Sequence, residues 1–144
     1  MKHLQTTIDI QARPEQVWQV LTRFAAYPEW NPFIRQISGR LNPGETLNVL
    51  IGATGAKPMN IRPIVVEVEE NRYFQWQGNM GFKGLFGGAH YFRLEALGEN
   101  HTRLIHGEHF SGILRAPLMA LIGKSTRIGF EAMNQALKER AETR

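Results

Sequence analysis

The sequence predicts an α+β fold: a curved antiparallel sheet of about seven strands wrapped around one long C-terminal helix, with two short helices after the first strand. Two patterns and one constraint lead there. Alternating or β-branched runs broken by turn residues fill most of the 144-residue chain, and the last quarter switches to a helical period. An antiparallel sheet must cover one face, and only the C-terminal segment is long enough to lie across it.

Leu4, Thr6, Ile8 and Ile10 alternate with Gln5, Thr7 and Asp9, the period of a half-buried strand. Pro14 suits a first helical position, where its missing N–H costs nothing. Val17, Val20, Leu21 and Phe24 then form the stripe of a short helix that ends before Pro28. Residues 34–41 and 46–51 read as strands joined through Asn42-Pro43-Gly44, where proline presets φ and glycine accepts a positive one. Residues 61–70 are rich in β-branched side chains, with Pro63 marking an edge or a bulge. Residues 73–77 follow a tight Asn71-Arg72 connection. Beyond the glycine-rich stretch 78–88, residues 90–97 and 102–110 form a hairpin about Gly98-Glu99-Asn100. From Pro117 to Ala141, one side of a helical wheel carries Leu118, Ile122, Thr126, Gly129, Met133 and Leu137. Lys124, Arg127, Glu131 and Lys138 lie on the other. Gly123 and Gly129 are unfavourable inside a helix and predict a kink or a close backbone approach.

One domain spanning 1–144 is expected from the length. The absence of cysteine removes disulfides and thiolate chemistry and suits a reducing, cytoplasmic compartment. Met1-Lys2-His3-Leu4-Gln5 turns polar too soon for a secretory signal, and no apolar run approaches the ~18 residues of a membrane span. The net charge of +4 comes from 17 basic and 13 acidic residues scattered along the chain, which argues against a nucleic-acid partner. No cofactor is expected, and a monomer or weak homodimer is the expected state.

Several apparent motifs fail on geometry. Gly123-Lys124-Ser125 lacks the first glycine of a phosphate loop, since position 118 is leucine, and it lies within a helical pattern. His106 and His109, three apart on a strand, point to opposite faces and cannot share one metal ion. Asn100-His101-Thr102 matches a glycosylation sequon only formally. The stretch 78–88 lacks dinucleotide-loop spacing; it reads either as a flexible hairpin end or as a lid closing Phe82, Leu85 and Phe86 over an apolar mouth.

Three segments carry a family resemblance: Ala12-Arg13-Pro14-Glu15-Gln16-Val17-Trp18, the stiff corner Tyr27-Pro28-Glu29-Trp30-Asn31-Pro32-Phe33, and His106-Gly107-Glu108-His109-Phe110-Ser111-Gly112. In that order, over nearly the whole chain, they resemble the polyketide cyclase/START-like superfamily, also called SRPBCC. The resemblance implies a helix-grip fold, as in START and birch-pollen-allergen-like proteins, and an internal cavity too wide for the sheet's own side chains to fill. It does not imply one activity, because that scaffold hosts binders, carriers and enzymes.

A hairpin turning at residues 98–100 sets Leu94 opposite Leu104, Phe92 opposite His106 and His90 opposite Glu108, all on the face that presents Phe110. His90, His106 and Glu108 therefore point inward. They form a satisfied structural pair, a polar anchor for a ligand carbonyl or hydroxyl, or a general acid/base. Trp30, Phe33, Phe74, Trp76, Phe86, Phe92 and Phe110, with Leu118, Ile122 and Met133 of the helix, complete the candidate ligand-binding wall. Three functions stay open. The first is binding or carriage of a hydrophobic small molecule such as a lipid, polyketide or aromatic metabolite. The second is a cyclase/dehydratase-type enzyme using cavity shape and the His/Glu cluster. The third is an interaction protein with a collapsed cavity.

Overall fold

The computed structural model describes residues 3–52, 57–80 and 84–143. Along them run β1 (His3–Ile10), α1 (Pro14–Thr22), a 3-10 turn (Phe24–Ala26), α2 (Tyr27–Trp30), β2 (Ile34–Ser38), β3 (Asn48–Ile51), β4 (Met59–Ile61), β5 (Ile64–Glu69), β6 (Tyr73–Met80), β7 (Phe86–Gly98), β8 (His101–Ser111) and α3 (Arg115–Glu142). This is the expected α+β arrangement. No helix among the described residues is long and apolar enough to cross a membrane.

The strands divide between two antiparallel sheets, β1-β8-β7-β6-β5 and β2-β3-β4, where the sequence suggested one sheet of about seven. The division has a local cause. The β-branched run at 61–70 breaks at Arg62-Pro63 into β4 and β5, because proline cannot donate to a ladder. Residues 44–47 join β5 through Gly44 N–H to Val65 O (2.8 Å), Val65 N–H to Glu45 O (2.9 Å) and Leu47 N–H to Pro63 O (2.9 Å). The next four residues, β3, pair instead with β2 and β4. One segment thus ties the edge of the large sheet to the small one. Its turn forms as its composition requires: Gly44 takes φ +90° and Glu45 N–H donates to Asn42 O at 3.0 Å.

The β7–β8 hairpin sets Leu94 opposite Leu104, Phe92 opposite His106 and His90 opposite Glu108. Near the turn the register shifts between Ala96 and Gly98, so Gly98 rather than Leu97 faces His101. The shift is confined to the tip and leaves the inward face unchanged.

Helix α3 starts two residues before Pro117 and buries Met119, Gly123, Gly129, Phe130, Met133, Asn134, Leu137 and Ala141. Leu118 and Ile122 are only partly buried. The buried stripe is therefore rotated from the sequence-derived one, toward Phe130 and Asn134. Phe33 explains the close approach at Gly129: its ring packs where a Cβ would be, and an added methyl would overlap it. The same ring meets Phe130 edge-on, centroids 5.5 Å apart. Tyr27 is fully buried and its hydroxyl donates to Leu21 O at 2.5 Å, which pins α2 against α1. Burial pushes this phenol far above its ordinary ionisation range, so it acts as a neutral donor.

Met133 of α3 has no exposed surface and belongs to the buried core. Replacing it with aspartate places an unpaired carboxylate there and costs about 3–5 kcal/mol. Urea unfolding of Met133→Asp checks this; a midpoint equal to that of the parent would mean that this face of α3 is not buried.

Candidate functional site

Two rows of side chains cross the inner face of the large sheet. One runs Leu4, Glu108, His90, Trp76 and Val65 through β1, β8, β7, β6 and β5. The next runs Thr6, His106, Phe92, Phe74 and Val68 through the same strands. Strand alternation places both rows on one face, and apolar neighbours fix which face is buried. The His90 ring stacks on Trp76, centroids 4.9 Å apart. His106 is sandwiched between Phe92 (4.3 Å) and Phe130 of α3 (4.0 Å, rings 9° from parallel). His109 faces the other way and stacks on His3 at 4.0 Å. Among the described residues no group of three His, Cys, Asp or Glu side chains is arranged to hold a metal ion.

The polar atoms on this wall form one continuous chain. Glu108 Oε1 lies 3.3 Å from His90 Nδ1, an ion-pair distance. His90 Nε2 is 2.8 Å from His106 Nε2, and His106 Nδ1 is 2.8 Å from Asn134 Oδ1. Asn134 Nδ2 donates to Thr6 Oγ1 at 2.8 Å, and the Thr6 hydroxyl donates to His106 O at 2.9 Å. His90, His106, Asn134 and Thr6 are buried; the Glu108 side chain, 19% exposed, is the end that reaches open space. His106 is held well below its ordinary value of 6.5, first by burial, which disfavours its charged form, and then by the neighbouring His90; the Asn134 hydrogen bond opposes both.

Glu108 opens into a cavity of about 520 Å³ bounded by both sheets and α3. Phe33, Ile51, Ile61, Trp76, Phe86, Phe110 and Ile122 supply apolar wall, and Asn79, Ser125 and Thr126 add polar points. Phe86 and Phe110 stack 6.0 Å apart at one side. Gly88 makes the carboxylate's place: a Cβ there would overlap Glu108 Oε2. A larger depression of about 700 Å³ is lined by Glu15, Glu67, Glu69, Arg72, Arg93 and Glu95, and this charged lining offers an apolar molecule little.

Of the sequence-derived candidates, Phe33, Trp76, Phe86, Glu108, Phe110 and Ile122 line the cavity. His90 and His106 stand behind Glu108 in the polar chain. Phe74, Phe92 and Met133 belong to the fully buried floor. Trp30 packs against Tyr27, and Leu118 against the core, both outside the cavity wall. Within the proposed lid stretch, Gly78 and Asn79 belong to β6 and Phe86, Gly87 and Gly88 to β7, with a turn at Gly84-Leu85, while Phe82 lies outside the described residues. Sequence reasoning missed Thr6, Gly88, Phe130 and Asn134 as site residues. Their signals were weak but present. Thr6 is a polar residue in the inward phase of β1, and Asn134 is a polar residue between Met133 and Leu137.

The chain belongs to the family described as polyketide cyclase/dehydrase and lipid transport, which matches residues 1–142. Membership of the SRPBCC superfamily is thereby borne out. Solved structures share the fold. A START superfamily protein from Mycobacterium smegmatis is 21% identical, with 99% of each chain covered and a TM-score of 0.75. The Zhui aromatase/cyclase from a Streptomyces species is 15% identical, with 99% of this chain and 94% of that one covered and a TM-score of 0.76. Ara h 8.0201 is 14% identical, with 99% and 98% covered and a TM-score of 0.74. No curated protein matches the sequence.

The buried histidine makes a pH prediction. A group that stays neutral when folded, below its unfolded value of 6.5, leaves the unfolded chain binding more protons, so stability falls as pH drops below 6.5. The slope from this one group reaches about 1.4 kcal/mol per pH unit and vanishes above about pH 7.5. The titratable groups facing His106 are His90 on β7 and, through it, Glu108 on β8; Thr6 on β1 and Asn134 and Phe130 on α3 do not titrate. Urea unfolding at pH 7.5 and 5.5 measures the slope. His106→Gln flattens it; an unchanged slope would assign the acid sensitivity to another group.

Proposed function

We propose that this protein binds a hydrophobic small molecule, such as a lipid, polyketide or aromatic metabolite, in the cavity between its sheets and α3. The observation that carries the reading is the wall itself: mainly apolar and aromatic, about 520 Å³ in volume, with Glu108 the only carboxylate among its described lining residues. That is the composition of a ligand site, with broad apolar contact for affinity and a few polar atoms for orientation. In this reading Phe33, Trp76, Phe86, Phe110 and Ile122 contact the occupant and Glu108 orients it. The protein works without a cofactor or nucleic acid, as a cytoplasmic monomer or weak homodimer. The scattered charge supports the absence of a nucleic-acid partner, and the absence of cysteine supports the cytoplasmic compartment.

One observation favours a second reading, a cyclase/dehydratase-type enzyme. Glu108, on the cavity wall, has the His90 imidazole 3.3 Å behind it and His106 behind that, the residue types of a general acid/base pair. Turnover of a poly-β-keto thioester by the parent, lost in Glu108→Leu, would support catalysis over carriage.

The binding reading is tested with a panel of fatty acids, sterols, flavonoids and quinones. At least one member binds in the micromolar range and, at a hundredfold excess over its Kd, raises unfolding free energy by about 2.7 kcal/mol. Trp76 lines the cavity and reports the event, so the emission change disappears in Trp76→Phe. Gly88→Ala, which places a methyl on the Glu108 carboxylate, weakens oxygen-bearing members of the panel more than hydrocarbons. A panel that moves neither melting temperature nor Trp76 emission would overturn the reading.

A further inference from the structure

Several polar points on the cavity wall have their hydrogens committed elsewhere. Ser125 and Thr126 line the α3 side, and each hydroxyl donates to Ile122 O within the helix, at 3.0 and 2.9 Å. A hydroxyl has one hydrogen and two lone pairs, so while those bonds stand both side chains offer an occupant only acceptor oxygens.

Glu108 reaches the same state through the chain behind it. A backbone carbonyl only accepts, so the Thr6 hydroxyl hydrogen goes to His106 O at 2.9 Å, and Thr6 Oγ1 accepts from Asn134 Nδ2 at 2.8 Å. Reversing the amide would draw the Thr6 hydrogen to Asn134 and leave Thr6 Oγ1 facing His106 O with none between them. The amide oxygen therefore faces His106 Nδ1, 2.8 Å away, which carries the hydrogen of that bond. Burial and the neighbouring His90 keep His106 neutral, so its Nε2 is a lone pair and His90 Nε2, 2.8 Å from it, donates. His90 Nδ1 and Glu108 Oε1, 3.3 Å apart, then share one hydrogen, as imidazolium with carboxylate or as imidazole with carboxylic acid. Both forms place that hydrogen between the two side chains, and both leave Glu108 Oε2 with lone pairs alone. A second hydrogen on Oε2 would give the pair a net positive charge in a largely apolar wall, which is costly.

This oxygen is the one that Gly88 accommodates. A Cβ at Gly88 would overlap Oε2, and Gly88 and Glu108 both line the cavity. The Trp76 indole, Lys57 and Arg62 stand on the same lining, yet among the described residues none of their N–H groups is bonded to Glu108. The charges also select the kind of donor that suits it. The His90–Glu108 pair, sharing one hydrogen, has no net charge, while Lys57 and Arg62 are both cations. An ammonium would meet like charge on the lining and a carboxylate already compensated, whereas a neutral hydroxyl meets neither cost.

We propose that Glu108 Oε2 is the specificity-determining acceptor of the cavity, and that the occupant is an apolar molecule with a neutral hydroxyl, an alcohol or a phenol, whose hydrogen it receives. The proposal rests on the binding reading and names its ligand chemistry.

Isothermal titration calorimetry of the full-length protein near neutral pH, with four naphthalenes substituted at one position, tests it. The substituents are hydroxymethyl, which donates; methoxymethyl, which only accepts; ethyl, which does neither; and aminomethyl, which is a cation. The parent binds the alcohol about tenfold more tightly than the ether, the worth of one good hydrogen bond, and binds the ammonium more weakly than the alcohol. In Glu108→Leu the alcohol-to-ether ratio falls to about one, and the ethyl compound, held within about threefold of its parent affinity, shows that the cavity is intact. Gly88→Ala, which displaces Oε2 and leaves the carboxyl group in place, lowers the same ratio. Equal binding of alcohol and ether by the parent, or a ratio unchanged in Glu108→Leu, would overturn the proposal. An ammonium bound more tightly than the alcohol would overturn the neutral hydroxyl and make the site one for cations. Failure of all four compounds to bind the parent would instead overturn the cavity-binding reading on which the proposal stands.

Discussion

Helix α3 is held to the sheet through one imidazole. His106 is clamped between Phe92 below and Phe130 above, and Asn134, one turn further along the same helix, reaches its ring nitrogen. Stacking fixes the height of the helix over the sheet, and the hydrogen bond fixes its rotation and position along the strand. A purely apolar contact could set the first of these but is non-directional. The polar chain therefore gives this interface a defined register, which a layer of aliphatic side chains tolerates losing more readily. Everything at the cavity depends on that register, because Ile122, Ser125 and Thr126 are placed on its wall by the same helix.

Two glycines then decide the shape of the interior. At Gly129 the missing side chain lets Phe33 lie against the helix, so the corner after α2 closes one side of the cavity. At Gly88 the missing side chain leaves room for a carboxylate on an otherwise apolar wall. Glycine costs strand and helix propensity of roughly 0.5–1 kcal/mol per position. Here that cost is offset by close approach at Gly129 and by a defined polar point at Gly88.

The fold explains why a cavity exists, and the wall explains what kind it is. Two sheets tied through residues 44–51 and covered by one helix enclose more volume than their inward side chains fill, which leaves the space bounded by Phe33, Trp76, Phe86 and Phe110. Solved structures at 21% identity or below share the fold, and the fold alone does not assign an activity. On the wall of this chain's cavity stands a carboxylate with two buried histidines behind it.

Local chemistry was enough to read much of this from the sequence. Period-two alternation in β1, the Pro43-Gly44 turn and the short Gly98-Glu99-Asn100 connection each act within a few residues. From them followed the α+β class, the long C-terminal helix and the pairing of His90 with Glu108. The division into two sheets was half visible in Pro63, which announced a break without saying that the strands on its two sides join different sheets. The rotation of α3 was not legible. Leu118 and Ile122 are as apolar as Met119 and Phe130, so periodicity alone could not choose between adjacent stripes. Nor was the role of Thr6, Gly88 and Asn134, which lie 46 to 128 residues apart in pairs and meet only when β1, β7 and α3 pack. The sequence by itself determined which segments are strands and helices and which face of each hairpin strand turns inward, because those depend on neighbours two to four residues away. Only the tertiary structure decided which side of α3 meets the sheet and which polar side chains meet behind Glu108. Both depend on atoms from distant segments satisfying one another's hydrogen bonds in a space that local pattern does not describe.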